Sequence, residues 1–105
     1  MTHSRAAALA AGLLGLGAVS LPALAQDARY LAGTCANCHG TDGRSVSGGA
    51  MPGLAGLSRT YFIEQMSAFR SGARQASVMH QIAKGYSDDQ ISRLADYFAP
   101  MKSGK

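Results

Sequence analysis

Cys35-Ala36-Asn37-Cys38-His39 is the stretch from which the rest of the chain can be read. Its two thiols are the only cysteines in the sequence, and the spacing between them is about one helical turn. Both sulfurs can therefore reach one edge of a planar ligand while the next side chain, the imidazole of His39, points toward its centre. C-x-x-C-H is the attachment pattern of a c-type haem, in which two thioethers hold the porphyrin and the histidine supplies one axial ligand to the iron. The second axial ligand has to come from elsewhere in the chain.

Other chemistries of a Cys pair fit less well. A thioredoxin-like dithiol follows a strand in a βαβ unit, and nothing upstream has that pattern. A structural zinc site needs four ligands; after Cys35, Cys38 and His39 the only histidine left downstream is His80, and there is no third cysteine. A disulfide across so short a loop is geometrically poor and leaves His39 without a role.

Residues 1–25 read as an export signal rather than as part of the fold. Arg5 gives a short positive start, Ala6 to Leu21 is an apolar run, and Ala23-Leu24-Ala25 fits a small-x-small cleavage site. The run falls short of the roughly 20 apolar residues that a membrane span needs, and Gly12, Gly15 and Gly17 weaken it further, so no stable span is expected after removal. A twin arginine is absent, which favours the general secretory route. Residues 26–105 then form one small domain.

A domain of this size buries limited apolar surface, and a centrally placed cofactor would serve as additional core. The chain of 105 residues carries 10 Lys and Arg against 6 Asp and Glu, a formal charge of +4. Loss of Arg5 with the signal lowers this by one, two haem propionates offset most of the remainder, and no block of like charge is present. A nucleic-acid footprint is not indicated.

Helical periodicity accounts for most of the rest. Asp27 is expected to open a first helix, with Ala28, Leu31 and Ala32 as its apolar stripe. Gly40 to Gly43 reads as a turn, and Arg44 to Gly56, rich in Gly, Ser and Ala, as a long loop with something to wrap. Ser58 caps a second helix carrying Phe62, Met66 and Phe69, which ends at Gly72. A short third helix carries Val78, Met79, Ile82 and Ala83 and stops at Gly85. Ser87-Asp88-Asp89-Gln90 is a capping box for a last helix with Ile91, Leu94, Ala95 and Phe98 inward, closed by Pro100. No alternating strand pattern occurs, so the expected class is all-α: about four short helices around one haem.

At four separated places the sequence resembles the class I cytochromes c. Cys35 to Gly40 resembles their haem-binding box, Pro52-Gly53-Leu54-Ala55-Gly56 their P-x-L-x-G loop, Met79 to Asp88 their M-x-x-I-A-K-G run, and Leu94 to Phe98 their C-terminal helix. Tyr61-Phe62, Phe69, Ser71-Gly72, Arg74 and Ala83 to Tyr86 further resemble the cytochrome subunits of flavocytochrome c sulfide dehydrogenases. Those subunits are often dihaem, whereas this sequence has one C-x-x-C-H.

The resemblance implies that Met79 is the sixth ligand and that the Pro52 carbonyl accepts the Nδ1 proton of His39. From the residues alone Met51, Met66, Met101 and His80 are rivals. Met66 lies on a helical apolar stripe, which suits core packing, and His80 adjoins Met79, so only one of the pair can face the iron. Tyr61, Tyr86, Arg74 and Lys84 are candidates for the propionates or for a docking surface.

His/Met ligation raises the reduction potential and leaves no open coordination position, so the expected function is movement of single electrons without a substrate site. The implied protein is a periplasmic single-haem cytochrome serving as the electron-accepting subunit of a flavoprotein sulfide dehydrogenase. A diffusible shuttle to a terminal oxidase is the alternative within the class. A haem enzyme or gas sensor with a displaceable sixth ligand is the alternative outside it.

Overall fold

A computed structural model describes residues 21–45 and 51–103, together with residues 12, 15, 17 and 49. Most of the expected export segment therefore lies outside the described residues, as do residues 46–48 and 50 of the long loop. Among the described residues there are four helices: α1 (Leu21–His39), α2 (Arg59–Ser71), α3 (Met79–Lys84) and α4 (Asp88–Phe98), with a 3-10 turn at Thr41–Gly43 after α1. Among the described residues there is no strand, and the all-α expectation holds.

α4 is the centre of the packing. Ile91, Leu94, Ala95 and Phe98 recur at helical intervals on one face, and none is more than 1 % exposed. Burying each of the three large ones contributes about 1.5–3 kcal/mol. Ser87 starts the helix with both halves of the capping box: its Oγ accepts from Gln90 N, and Gln90 Oε1 accepts from Ser87 N. α1 and α2 both lie against α4, and α3 lies against α2. Phe62 and Met66 of α2 and Ala83 of α3 complete the core.

The start of α1 departs from expectation. Asp27 does not open the helix; it is an exposed residue inside it, paired with Arg93 of α4. The described part of α1 already includes Leu21, because the Ala- and Leu-rich residues before Asp27 are good helix formers and impose no stop there. Val78 also differs: it flanks α3 instead of belonging to it and is exposed. Ser58 and Gly72 cap α2 as read from the sequence, Gly72 in the left-handed conformation.

Backbone carbonyls of Gly43 and Phe98 hold the chain between α1 and α2. Gly43 O accepts from Leu54 N at 2.7 Å and from Ala55 N at 3.1 Å, while Gly56 N donates to Phe98 O at 2.9 Å. Gly43 has φ +68°, and a Cβ there would lie 2.7 Å from Cε1 of Phe98 and 2.9 Å from Cβ of Leu54. Only glycine allows the turn, the loop and the end of α4 to approach this closely.

Candidate functional site

Ala28, Ala32, Cys35 and His39 follow one another at intervals of four, three and four, so they share the face of α1 that packs toward α4. Ala28 and Ala32 are buried, Cys35 is half-buried and His39 is 8 % exposed. Small residues let the helices approach, and the same stripe carries His39 inward at the end of α1. Cys38, three residues after Cys35, flanks that stripe and is exposed. Burial pushes the Cys35 thiol above its ordinary pKa range, a backbone hydrogen bond opposing the shift.

His39 Nδ1 lies 2.7 Å from the carbonyl oxygen of Pro52. The carbonyl can only accept, so Nδ1 carries the proton and Nε2 keeps its lone pair for a metal. The Gly43 carbonyl, by fixing Leu54 and Ala55, sets the position of the preceding Pro52.

A cleft of about 370 Å³ opens between the end of α1, the loop of residues 51–57, α2 and the segment leading into α3. Cys35, Cys38, His39, Pro52 and Met79 all line it. Its walls are otherwise mainly apolar, with Leu54, Leu57, Phe62, Phe69 and Ile82 among them. Two thiols, an imidazole with its other nitrogen already bonded, and a thioether on the walls of one apolar cleft are a donor set that fits an iron porphyrin.

The remaining sequence candidates sort by position. His80 is not among the cleft-lining residues; its Nδ1 is buried with no hydrogen-bond partner among the described residues. Met66 is 7 % exposed within the core and also borders the cleft, and Met101 packs against the core away from it. Met51 lines the cleft and is half exposed. Tyr61, Tyr86 and Arg74 line it, whereas exposed Lys84 does not.

Two contributors were not singled out from the sequence. Gly43 was read only as part of a turn, although its place next to Leu54 and Phe98 positions the loop that faces His39. Gln65 lines the cleft and accepts a hydrogen bond from Arg74 Nη1 at 2.6 Å. Its one sequence signal was its place beside Met66 on α2.

The sequence profile of the cytochrome c family matches residues 25–102. The cytochrome subunit of sulfide dehydrogenase from Chlorobaculum tepidum is 42 % identical over 65 residues, covering 62 % of this chain and 57 % of that one. Cytochrome c-554(548) of Halomonas halodenitrificans is 40 % identical over 70 residues, covering 64 % of this chain and 83 % of that one. The structure of cytochrome c4 from Acidithiobacillus ferrooxidans superposes with a TM-score of 0.68 at 31 % identity, covering 75 % of this chain and 51 % of that one. This chain thus spans little more than half of the sulfide dehydrogenase subunit and of cytochrome c4.

Proposed function

The chain belongs to the cytochrome c family, an electron carrier with covalently bound haem c, and we propose that it accepts electrons one at a time from a sulfide-oxidising flavoprotein in the periplasm. In this reading Cys35 and Cys38 would hold the haem through two thioethers, and His39 and Met79 would be the side chains that ligate its iron. The observation that carries the reading is that all four of these side chains line one cleft.

When bound, the haem supplies a one-electron iron couple; the chain's residues set the surroundings of that couple. His39 is oriented by the Pro52 carbonyl, which fixes its tautomer and makes its Nε2 a stronger donor. Met79 offers a soft thioether, which favours the reduced metal and raises the potential. Leu54, Leu57, Phe62 and Phe69 exclude water and so disfavour the more highly charged oxidised state.

Similarity to the sulfide dehydrogenase cytochrome subunit supports the flavoprotein partner. A second reading, a freely diffusing carrier, is favoured by the likeness to cytochrome c-554(548), which this chain covers over most of its length. The apolar run and cleavage pattern of residues 1–25 support export, and among the described residues no helix is long and apolar enough to cross a membrane.

Intact mass of the exported protein reports signal removal and covalent haem together. Stopped-flow mixing of the loaded protein with a sulfide-reduced flavoprotein then separates the two readings. Rapid reduction with saturation, together with co-elution, supports the subunit. Reduction no faster than by a small-molecule donor, with no co-elution, supports the diffusing carrier and removes the sulfide assignment.

A further inference from the structure

Past α4 the chain turns back over the loop that faces His39. Met101 N donates to Phe98 O at 3.1 Å, and the same carbonyl takes Gly56 N at 2.9 Å, so tail and loop share one acceptor. Lys102 O in turn accepts from Arg44 Nε at 3.1 Å, a contact between positions 58 apart in the sequence. Gly56 lies against this tail with φ +81°, and a Cβ on it would stand 3.1 Å from Met101 O and 3.4 Å from Ser103 N. A residue without a side chain is what fits there.

Arg44 is itself exposed, yet it shares a planar peptide unit with Gly43. Both polar groups of that unit are engaged: its N–H donates to Thr41 O at 3.1 Å, and its C=O accepts from Leu54 N and Ala55 N. A guanidinium anchored on Lys102 O ties the same unit to the tail. Leu54 to Gly56 is thereby gripped from Gly43 on one side and from Phe98 to Ser103 on the other, and just ahead of it Pro52 offers its carbonyl to His39 Nδ1 at 2.7 Å. We infer that Arg44 is a positioning residue for His39: by strapping the tail across the loop, it keeps the Pro52 carbonyl on the imidazole. The inference rests on the haem assignment above and adds what governs the donor strength of His39.

The strap has a redox consequence. A short bond from Nδ1–H to a carbonyl makes Nε2 a stronger donor, which favours the oxidised metal and lowers the potential. Loosening the strap should therefore raise the potential and open the Nδ1 proton to exchange with water. Loss of the Arg44 charge by itself acts the other way, since removing a cation favours the oxidised state. The two effects differ in sign and can be separated.

Haem-loaded Arg44→Met, which keeps the aliphatic stem and removes the donor, is compared with Lys102→Gln, which removes a neighbouring charge and keeps the carbonyl acceptor. Proton NMR of the reduced proteins follows exchange of the His39 Nδ1 proton, and redox titration gives the midpoint. Arg44→Met is expected to speed the exchange about two- to tenfold, the span set by loss of one hydrogen bond. Its midpoint should lie above that of Lys102→Gln, whose exchange should stay at the wild-type rate. Arg44→Lys can still donate to a carbonyl and should restore most of the wild-type protection. A chain ended after Met101 lacks the acceptor and should exchange as fast as Arg44→Met, which keeps the comparison open if that variant does not fold. A wild-type exchange rate in folded, loaded Arg44→Met, or in the shortened chain where only that one folds, would overturn the inference and leave Arg44 as an anchor of the tail alone. So would a midpoint for Arg44→Met no higher than that of Lys102→Gln. Absence of covalent haem from the wild type would instead remove the functional reading itself.

Discussion

His39 and Pro52 stand thirteen residues apart in sequence and 2.7 Å apart in space, imidazole Nδ1 against carbonyl oxygen. This contact fixes the ring through a backbone group, which no side-chain substitution at position 52 can delete directly. The group that determines where that carbonyl sits is Gly43, and the most informative substitution near His39 is therefore made at that glycine.

Gly43→Ala should destabilise the loaded protein by about 2–4 kcal/mol, combining a left-handed conformation without glycine and an overpacked contact with Phe98. The denaturant midpoint measures it. A loss below about 0.5 kcal/mol, the size of an ordinary surface change, would mean that the loop is not pinned at this point.

Met79→Ala should remove the weak red-edge charge-transfer band of methionine-ligated ferric haem, lower the midpoint potential and let the reduced protein bind carbon monoxide. His80→Ala should do none of these, because His80 is not on the cleft wall. Reversal of the two results would make His80 the ligand.

Ser87→Ala removes the acceptor for Gln90 N at the start of α4 and should cost about 1 kcal/mol, while Ser87→Asp, still a good cap, should be close to neutral. Thermal unfolding of the pair distinguishes loss of the cap from a change of surface polarity. Equal losses would assign the effect to something other than capping.

Tyr97 provides a pH signature. Burial chiefly, and then the nearby Asp42 carboxylate, hold its phenol above the ordinary pKa, with Arg29 pulling the other way. The folded state therefore keeps the proton to higher pH than the unfolded chain, which begins to ionise near a pKa of about 10. Stability should fall as pH rises from that point toward the folded-state pKa. Asp42→Asn should move the Tyr97 titration downward, as read by ring-carbon NMR; an upward or absent shift would contradict the assigned cause.

Much of this molecule was legible in its sequence because the signals were local. Ser58, Gly72 and the Ser87 to Gln90 box mark helix ends through contacts within one turn, and the intervals among Ile91, Leu94, Ala95 and Phe98 define the buried face of α4. The cysteines and His39 were recognisable for the same reason.

What depended on distant parts of the chain was not legible. The role of Gly43 comes from Phe98 and Leu54, far along the chain, and the Arg74–Gln65 contact requires the turn after α2 to fold back onto that helix. Lys84 looked equivalent to Arg74 as a basic residue, yet only Arg74 lines the cleft. Asp27 showed a cap residue without a helix start, because the alanines and leucines before it impose no stop.

Every ion pair among the described residues has at least one end on α4, through Asp88, Asp89, Arg93 or Asp96. That helix carries three carboxylates against one arginine, so the surplus positive charge of the chain resides elsewhere in the sequence. Such a lopsided distribution gives the molecule a permanent electric moment, which turns it as it diffuses toward a charged body. Salt would slow that approach by screening it, even where the eventual contact is wholly apolar.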